Sequence, residues 1–491
     1  MSKAPEIRFV DTTLRDGNQS LWALLMSTEM MLPIAGHLND AGFSCVDLSA
    51  PAHFKAIVRD VLNDPWERIR LVSARIPDTP VGMMQQCSIT GFSVVPKALA
   101  QLWMRRLKAN GIGRIHLMEA SNDFGLRVPD FVAWGKEAGL EMCVALTYSI
   151  SPKHSDEHFA EKARDAAALG ADSLFLKDPG GLLTPERIQT IVPAIMKNID
   201  GIPLELHSHC TTGLAPLCYI EAVKLGIRTL HTAIPPLANG SAQPSVLNMA
   251  SNLRILGFDP IVDETAVGRV AEHFNWIAAR ENRPVGRPVE YDTYQYVHQI
   301  PGGVIANLRR QLTQLKVIHL LPRVIEETIQ VRKDFGYPIM VTPFSQYMAT
   351  QAALNVVTGE RYKQVVDDMI HYALGLWGEG AAEAIDADVR AQVLALPRAR
   401  ELAEWEVPET TVEEMREKFG GAEISDDELL LRYIIGNDDD VEAMRAAGPL
   451  REDRYAGTEM PLKMLVDGLL QRDDLTYFSL EGKGISLTMQ N

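Results

Sequence analysis

Residues 173–209 read SLFLKDPGGLLTPERIQTIVPAIMKNIDGIPLELHSH, and this stretch decides the fold. It opens on an apolar run of strand length that ends at Lys177. Thr184-Pro185-Glu186 then starts a helix, with proline at the first helical position, where a missing N–H costs nothing. A second apolar run begins at Leu204 and ends in His207-Ser208-His209. Outward from this unit the same alternation spans Ile7 to about Ala233. Apolar runs begin at Ile7, Phe43, Val81, Arg114, Met142, Ser173, Leu204 and Arg228. Ser27-Thr28-Glu29 opens a helix that stops near Ala41-Gly42. Pro96 opens another, with Leu99, Leu102, Trp103 and Leu107 at helical spacing and a stop at Asn110-Gly111. Eight strands alternating with helices predict an α/β fold, a (β/α)8 TIM barrel. The rival, a doubly wound open sheet, lacks a G-x-G-x-x-G turn after its first strand.

After Pro284 the pattern changes to long helical stretches, Val304 to Phe335 and Tyr362 to Trp377, interrupted by loops at His298–Gly303 and Val341–Ser345. The expected division is a barrel over residues 1–284, a mainly helical domain over 285–453 and a tail over 454–491. Thr411 to Val441 is strongly acidic and reads as a solvated face or an acidic linker. Leu475 to Met489 alternates like a small hairpin, with Gly482-Lys483-Gly484 as its turn.

The formal net charge of −16 argues against nucleic acid or an anionic membrane as main partner. Cys45, Cys87, Cys143, Cys210 and Cys218 form no C-x-x-C pair, and so few thiols in 491 residues fit a reducing cytoplasm. Neither a signal peptide nor an apolar run of about 18 residues is present, so a cytoplasmic chain without a membrane span is expected.

Active-site groups of a (β/α) barrel come from the C-terminal ends of the strands. Here the first strand runs into Asp11-Thr12-Thr13-Leu14-Arg15-Asp16-Gly17-Asn18-Gln19-Ser20, the sixth ends in Lys177-Asp178 and the seventh in His207-Ser208-His209. Residues two apart on a strand point to one face, so His207 and His209 are able to share an ion, with Asp16 on the same rim. Two imidazoles and a carboxylate suit zinc, manganese or cobalt. Lys177 emerges from a buried strand. It needs either a salt bridge, Asp178 being the nearest acid in sequence, or a modified charge such as a carbamate. Arg15 and Gln19 flank Asp16 and either stabilise a developing enolate or brace the loop.

These stretches resemble the biotin-dependent carboxyltransferases: oxaloacetate decarboxylase alpha subunits, the central domain of pyruvate carboxylase, and the keto-acid subunit of transcarboxylase. The resemblance rests on DTTLRDGNQSL from Asp11, NDPWERIR from Asn63, SISPKHS from Ser149, SLFLKDPGGLLTP from Ser173 and ELHSHCTTG from Glu205. It continues through HQIPGGVIANL from His298 and VTPFSQYMATQAALNVVTGERYK from Val341. It implies that Asp16, His207, His209 and a carbamylated Lys177 hold the metal. It also implies that Arg15 and Gln19 contact the keto acid, that Thr342 shuttles a proton between substrate and biotin, and that a helical funnel covers the barrel mouth of a homodimer.

The chain departs from the family at the substrate. Gln85 stands where the family has an arginine in L-R-G-x-N-x-x-G-Y, and Glu119 where it has an aspartate, so both are candidate substrate-binding residues of an altered acceptor site. Cys210 follows the second histidine in place of an aspartate, and KDPGG replaces KDMAG. The biotinylation motif Ala-Met-Lys-Met is absent, so biotin is expected on a separate carrier protein charged by a separate biotin carboxylase subunit. Two other readings remain: a biotin-independent metal-dependent lyase, aldolase or decarboxylase, and a barrel kept as an assembly subunit.

Overall fold

The computed structural model describes residues 4–90, 93–407 and 409–458, with residues 465, 469, 472, 475–482 and 485–490 of the tail. The apolar runs form β1 (Glu6–Asp11), β2 (Cys45–Ser49), β3 (Val81–Gln86), β4 (Arg114–Met118), β5 (Glu141–Thr147), β6 (Ser173–Asp178), β7 (Leu204–Ser208) and β8 (Thr229–Thr232). All pair in parallel in sequence order, and β1 closes the ring against both β8 and β2. A two-residue strand, β9 (Asp259–Pro260), adds to the start of β1. The expected barrel is therefore the observed one. Closure removes both sheet edges and leaves one rim where all the strands end.

Helix boundaries follow their local signals. The Thr184 hydroxyl accepts from the Arg187 N–H at the start of the helix Pro185–Met196. Lys97–Ala109 starts just after Pro96, and its Leu99, Leu102, Trp103 and Leu107 are buried. The stretch from Val304 divides into Gly302–Gln314 and Leu321–Asp334, because Lys316 takes a left-handed conformation (φ 60°) that no helix continues through. Tyr362 does the same (φ 57°), and the second stretch shrinks to Asp367–Ala373.

Two apolar clusters organise the chain. One fills the barrel and the layer between its strands and outer helices. The other joins Ala50, Met84, Met118 and Ala120, at or just past the ends of β2, β3 and β4, to Ile300, Val304, Leu308, Phe344, Met348 and Trp377. Helices between Tyr294 and Ala403 thus form a cap seated on the C-terminal rim.

The acidic segment is neither a linker nor a merely solvated face. Its helices Val412–Phe419, Asp426–Ile435 and Asp438–Ala446 bury Met415, Leu429, Leu430, Ile434, Val441 and Met444 in the barrel's own cluster. Their acids gather in first turns, where carboxylates meet the positive end of the helix dipole, and Asp427 bridges to Arg106 and Asn110 on the barrel's flank. In the tail, β10 (Tyr477–Gly482) and β11 (Ile485–Gln490) pair antiparallel, while Lys483 and Gly484 of the expected turn lie outside the described residues.

Candidate active site

Parallel register brings the sequence-predicted groups together. Lys177 on β6 pairs with His207 on β7, so both project from the same level of the rim. Beyond β1 the chain enters a wide helical turn, Thr13–Gly17, which carries Arg15 and Asp16 across the mouth. Asp16 Oδ2 lies 3.3 Å from His207 Nε2 and 3.4 Å from His209 Nε2, and the two imidazole nitrogens are 3.3 Å apart. The Lys177 amine is 3.3 Å from His207 Nε2. Ligand atoms of Asp16, His207 and His209 all lie within 4.8 Å of one another. The bland partner for Lys177 is otherwise engaged: Asp178 accepts from the Leu182 and Leu183 N–H groups and from the Ser208 hydroxyl.

Neighbouring residues aim these groups. Ser20 donates to Asp16 Oδ1 at 3.0 Å and Gln243 to Asp16 Oδ2 at 3.1 Å. His209 Nδ1 sits 2.6 Å from the Ser241 carbonyl, which only accepts, so Nδ1 carries the proton and Nε2 turns a lone pair to the cluster. Burial alone would raise the Asp16 carboxyl. Arg15 beside it overcomes this and holds Asp16 well below the usual carboxylate range. Burial, then Arg15, pushes the Lys177 amine down to about 8, and burial with Lys177 beside it holds His207 in its neutral form. A neutral imidazole and an ionised carboxylate are the forms that bind a cation.

Above the cluster lies a cavity of about 260 Å³ between barrel and cap. Arg15, Asp16, Gln19, Lys177 and His209 line its floor, and Val304, Val341, Thr342 and Gln346 of the cap face them. Arg15 is fixed by Asp47 (Nε to Oδ2, 2.7 Å) and Asp16 (Nη1 to Oδ2, 2.9 Å), and its buried Nη2 has no protein partner among the described residues. Such an orphaned donor on a residue that lines the cavity suits an oxyanion. Gln19 Oε1 is 2.9 Å from His53 Nε2, and the Thr342 hydroxyl accepts from Gln346 Nε2 at 3.1 Å.

Two residues expected to bind substrate do not line this cavity. Gln85 points out through the barrel wall: its amide oxygen accepts from Trp103 Nε1 at 2.8 Å and its nitrogen donates to the Ser88 carbonyl at 2.9 Å. Alternation along β3 turns the next residue inward, so Gln86 lines the cavity and donates to the Thr342 carbonyl at 3.0 Å. Glu119 also lies outside the cavity lining. It faces Ser121, Arg127 and Cys87. Sequence reading missed Gln86, His53, Asp47 and Gln243. Asp47 carried a signal, an acid inside the apolar run from Phe43. Gln243 sits in an irregular segment and His53 opens a short helix, His53–Ala56, and neither carried one.

Comparison with known proteins agrees with this layout. The HMGL-like family model matches residues 6–273 and the conserved carboxylase domain model residues 296–440. A pyruvate carboxylase subunit of Methanocaldococcus jannaschii is 34% identical over 77% of this chain and 66% of its own length. The 2-oxoglutarate carboxylase large subunit of Hydrogenobacter thermophilus is 29% identical over 87% of this chain, again 66% of its own. The methylmalonyl-CoA carboxyltransferase 5S subunit of Propionibacterium freudenreichii is 29% identical over 78% of this chain and 76% of its own. This chain thus spans about two thirds of the length of the first two. The carboxyl transferase domain of Rhizobium etli pyruvate carboxylase, solved with oxamate and biotin, shares the fold at a TM-score of 0.81 and 22% identity, covering 92% of this chain and 80% of that one.

Proposed function

We propose a carboxyltransferase, on the premise that this chain belongs to the HMGL-like family and carries a conserved carboxylase domain behind its barrel. It moves a carboxyl group between carboxybiotin, presented by a separate carrier protein, and a small carbonyl-containing acid. The observation that carries this reading is the convergence of Asp16, His207, His209 and Lys177 under a cavity whose far wall holds Thr342.

The donor set fits a divalent metal: one ionised carboxylate, two imidazoles and a buried amine, with zinc, manganese or cobalt as the matching ions. Such an ion, when bound, is a Lewis acid beside the acceptor's carbonyl oxygen. Uptake of carbon dioxide by the Lys177 amine would turn a buried cation into an oxygen donor, and its burial favours the neutral amine that this needs. Arg15 directs its free Nη2 at the oxygen that gains charge as a proton leaves the neighbouring carbon. Thr342 relays that proton between acceptor and biotin's ureido group, a task that a hydroxyl performs only as part of a concerted exchange. Met84, Met118, Val304 and Val341 keep the cavity apolar, which protects released carbon dioxide and the enolate from water.

Among the described residues that line the cavity, Arg15 and Lys177 are the only arginine or lysine. With Lys177 modified, Arg15 is the one cationic side chain left in this lining, which favours a small anionic acceptor. Carrier and carboxylase subunits as partners, a homodimer and a cytoplasmic setting complete the proposal. No helix among the described residues is long and apolar enough to cross a membrane, and all five cysteines are buried and free.

The test combines the purified chain with a carboxylated carrier and a panel of 2-oxo acids, with and without avidin, and measures bound metal. Avidin-sensitive transfer to a small acceptor with stoichiometric metal is expected. Avidin-insensitive cleavage would make the chain a lyase, and a metal-free, inert chain would make it an assembly subunit.

A further inference from the structure

Beneath the metal-ligand cluster the barrel interior holds a file of buried polar groups instead of the usual aliphatic layers. Arg114 on β4 forms an ion pair with Glu205 on β7. Glu205 Oε2 lies 2.9 Å from His231 Nε2 on β8, and His231 Nδ1 lies 3.2 Å from His207 Nδ1. His207 then presents its other nitrogen to Asp16 and His209. His231 and His207 are fully buried, and Phe175 stacks on the His231 ring at 5.3 Å. The Tyr219 hydroxyl accepts from the Ser208 N–H and donates to the His231 carbonyl, which ties the two strands at this level.

The two candidate ligand histidines are held differently. His209 meets a carbonyl, which only accepts. His207 meets another imidazole, which either donates or accepts, so this contact alone leaves the His207 tautomer open. The decision lies one step further down. A carboxylate paired with arginine only accepts, so Glu205 takes the proton of His231 Nε2. His231 Nδ1 is then a lone pair and accepts from His207 Nδ1–H, and His207 Nε2 is left free for an ion.

We infer that Glu205 and His231 are a positioning pair that sets the tautomer and ring orientation of His207 and thereby the metal affinity of the site. This rests on the metal reading above. The polarity of the file has a further consequence. An amide at position 205 is able to donate to His231, which reverses both hydrogen bonds and puts the His207 proton on the nitrogen that faces the ion.

The test is metal affinity of the full chain, measured by competition with a chelator for zinc and by the ligand-field spectrum of the cobalt(II) form. His231→Phe, which removes the acceptor but keeps a flat ring in the core, is expected to weaken zinc binding about 10–100-fold and to shift the cobalt spectrum. Glu205→Gln is expected to weaken it to a similar extent, but to add nothing in the His231→Phe background. His231→Phe stands alone as the test if Glu205→Gln, which strands the Arg114 charge, fails to fold. Wild-type zinc binding with a His231→Phe affinity within twofold of it overturns this inference and leaves the metal reading intact. A wild-type chain that binds neither zinc nor cobalt overturns both.

Discussion

Arg15 meets Asp47 with one nitrogen and Asp16 with a second, and its third is buried without a protein partner among the described residues. Only a planar fork offers all three at once; a lysine amine is a point charge. Arg15→Lys is therefore expected to keep the fold and lower kcat for carboxyl transfer by roughly 10²–10³-fold, the usual cost of one oxyanion donor. A kcat within threefold of wild type would remove Arg15 from the mechanism. Gln86, and not Gln85, lines the cavity. Gln86→Arg is expected to raise kcat/KM for 2-oxo dicarboxylates relative to monocarboxylates, read in the same acceptor panel, and an unchanged ratio would show that this wall does not select. Burial also keeps two histidines neutral. His53 is pushed down to about 3 by burial and by Arg15 and Arg68, against the opposing pull of Asp47 and Asp16. His154 is held at about 3 by burial and by His158, Arg332 and Lys153. The unfolded histidine value is about 6.5, so the folded chain binds fewer protons below it, and stability present above that pH is lost as the pH falls from about 6.5 toward 3. Urea midpoints of the metal-free chain should drop between pH 7.5 and 5, and His53→Gln should flatten part of that slope.

At the scale of elements, the acidic segment shows how composition and attachment diverge. Ser425 caps the helix Asp426–Ile435, and Asp426, Asp427 and Glu428 occupy its first turn, so the negative charge serves the helix end. The opposite face buries Leu429, Leu430 and Ile434 against the barrel, and the Asp427 carbonyl accepts from Trp66 Nε1 at 2.9 Å. An acidic linker would tolerate truncation at Leu430. Here Leu430→Ala is expected to cost about 2–5 kcal/mol in urea unfolding, as for a fully buried leucine. A loss below 0.5 kcal/mol would show that these helices do not belong to the barrel's folding unit.

At the scale of the whole molecule, the proposed reaction draws on two bodies: the barrel would supply Asp16, Lys177, His207, His209 and Arg15, and the cap Thr342. Thr342→Ala should therefore lower transfer by roughly 10²–10⁴-fold while metal content stays at the wild-type level, a separation that metal analysis beside the transfer assay reads directly. A parallel loss of metal would place Thr342 in the barrel's chemistry. The sequence by itself determined the eight strands, their order, the rim on which Asp16, Lys177, His207 and His209 stand, and the helical character of the chain beyond Pro284. Periodicity, caps and strand ends are local properties, and a parallel barrel turns strand ends into a common rim without further information. Only the tertiary structure decided which way β3 presents Gln85 and Gln86, where the acidic helices attach, and that Arg114, Glu205, His231 and His207 stand in one file. The first and third depend on strand register around the barrel and the second on which surface the helices' apolar faces cover, and none of these is a local property of the sequence. The pairing of β2 with β3 shifts between Asp47 and Ser49, and a one-residue shift exchanges the inside of a barrel for its outside.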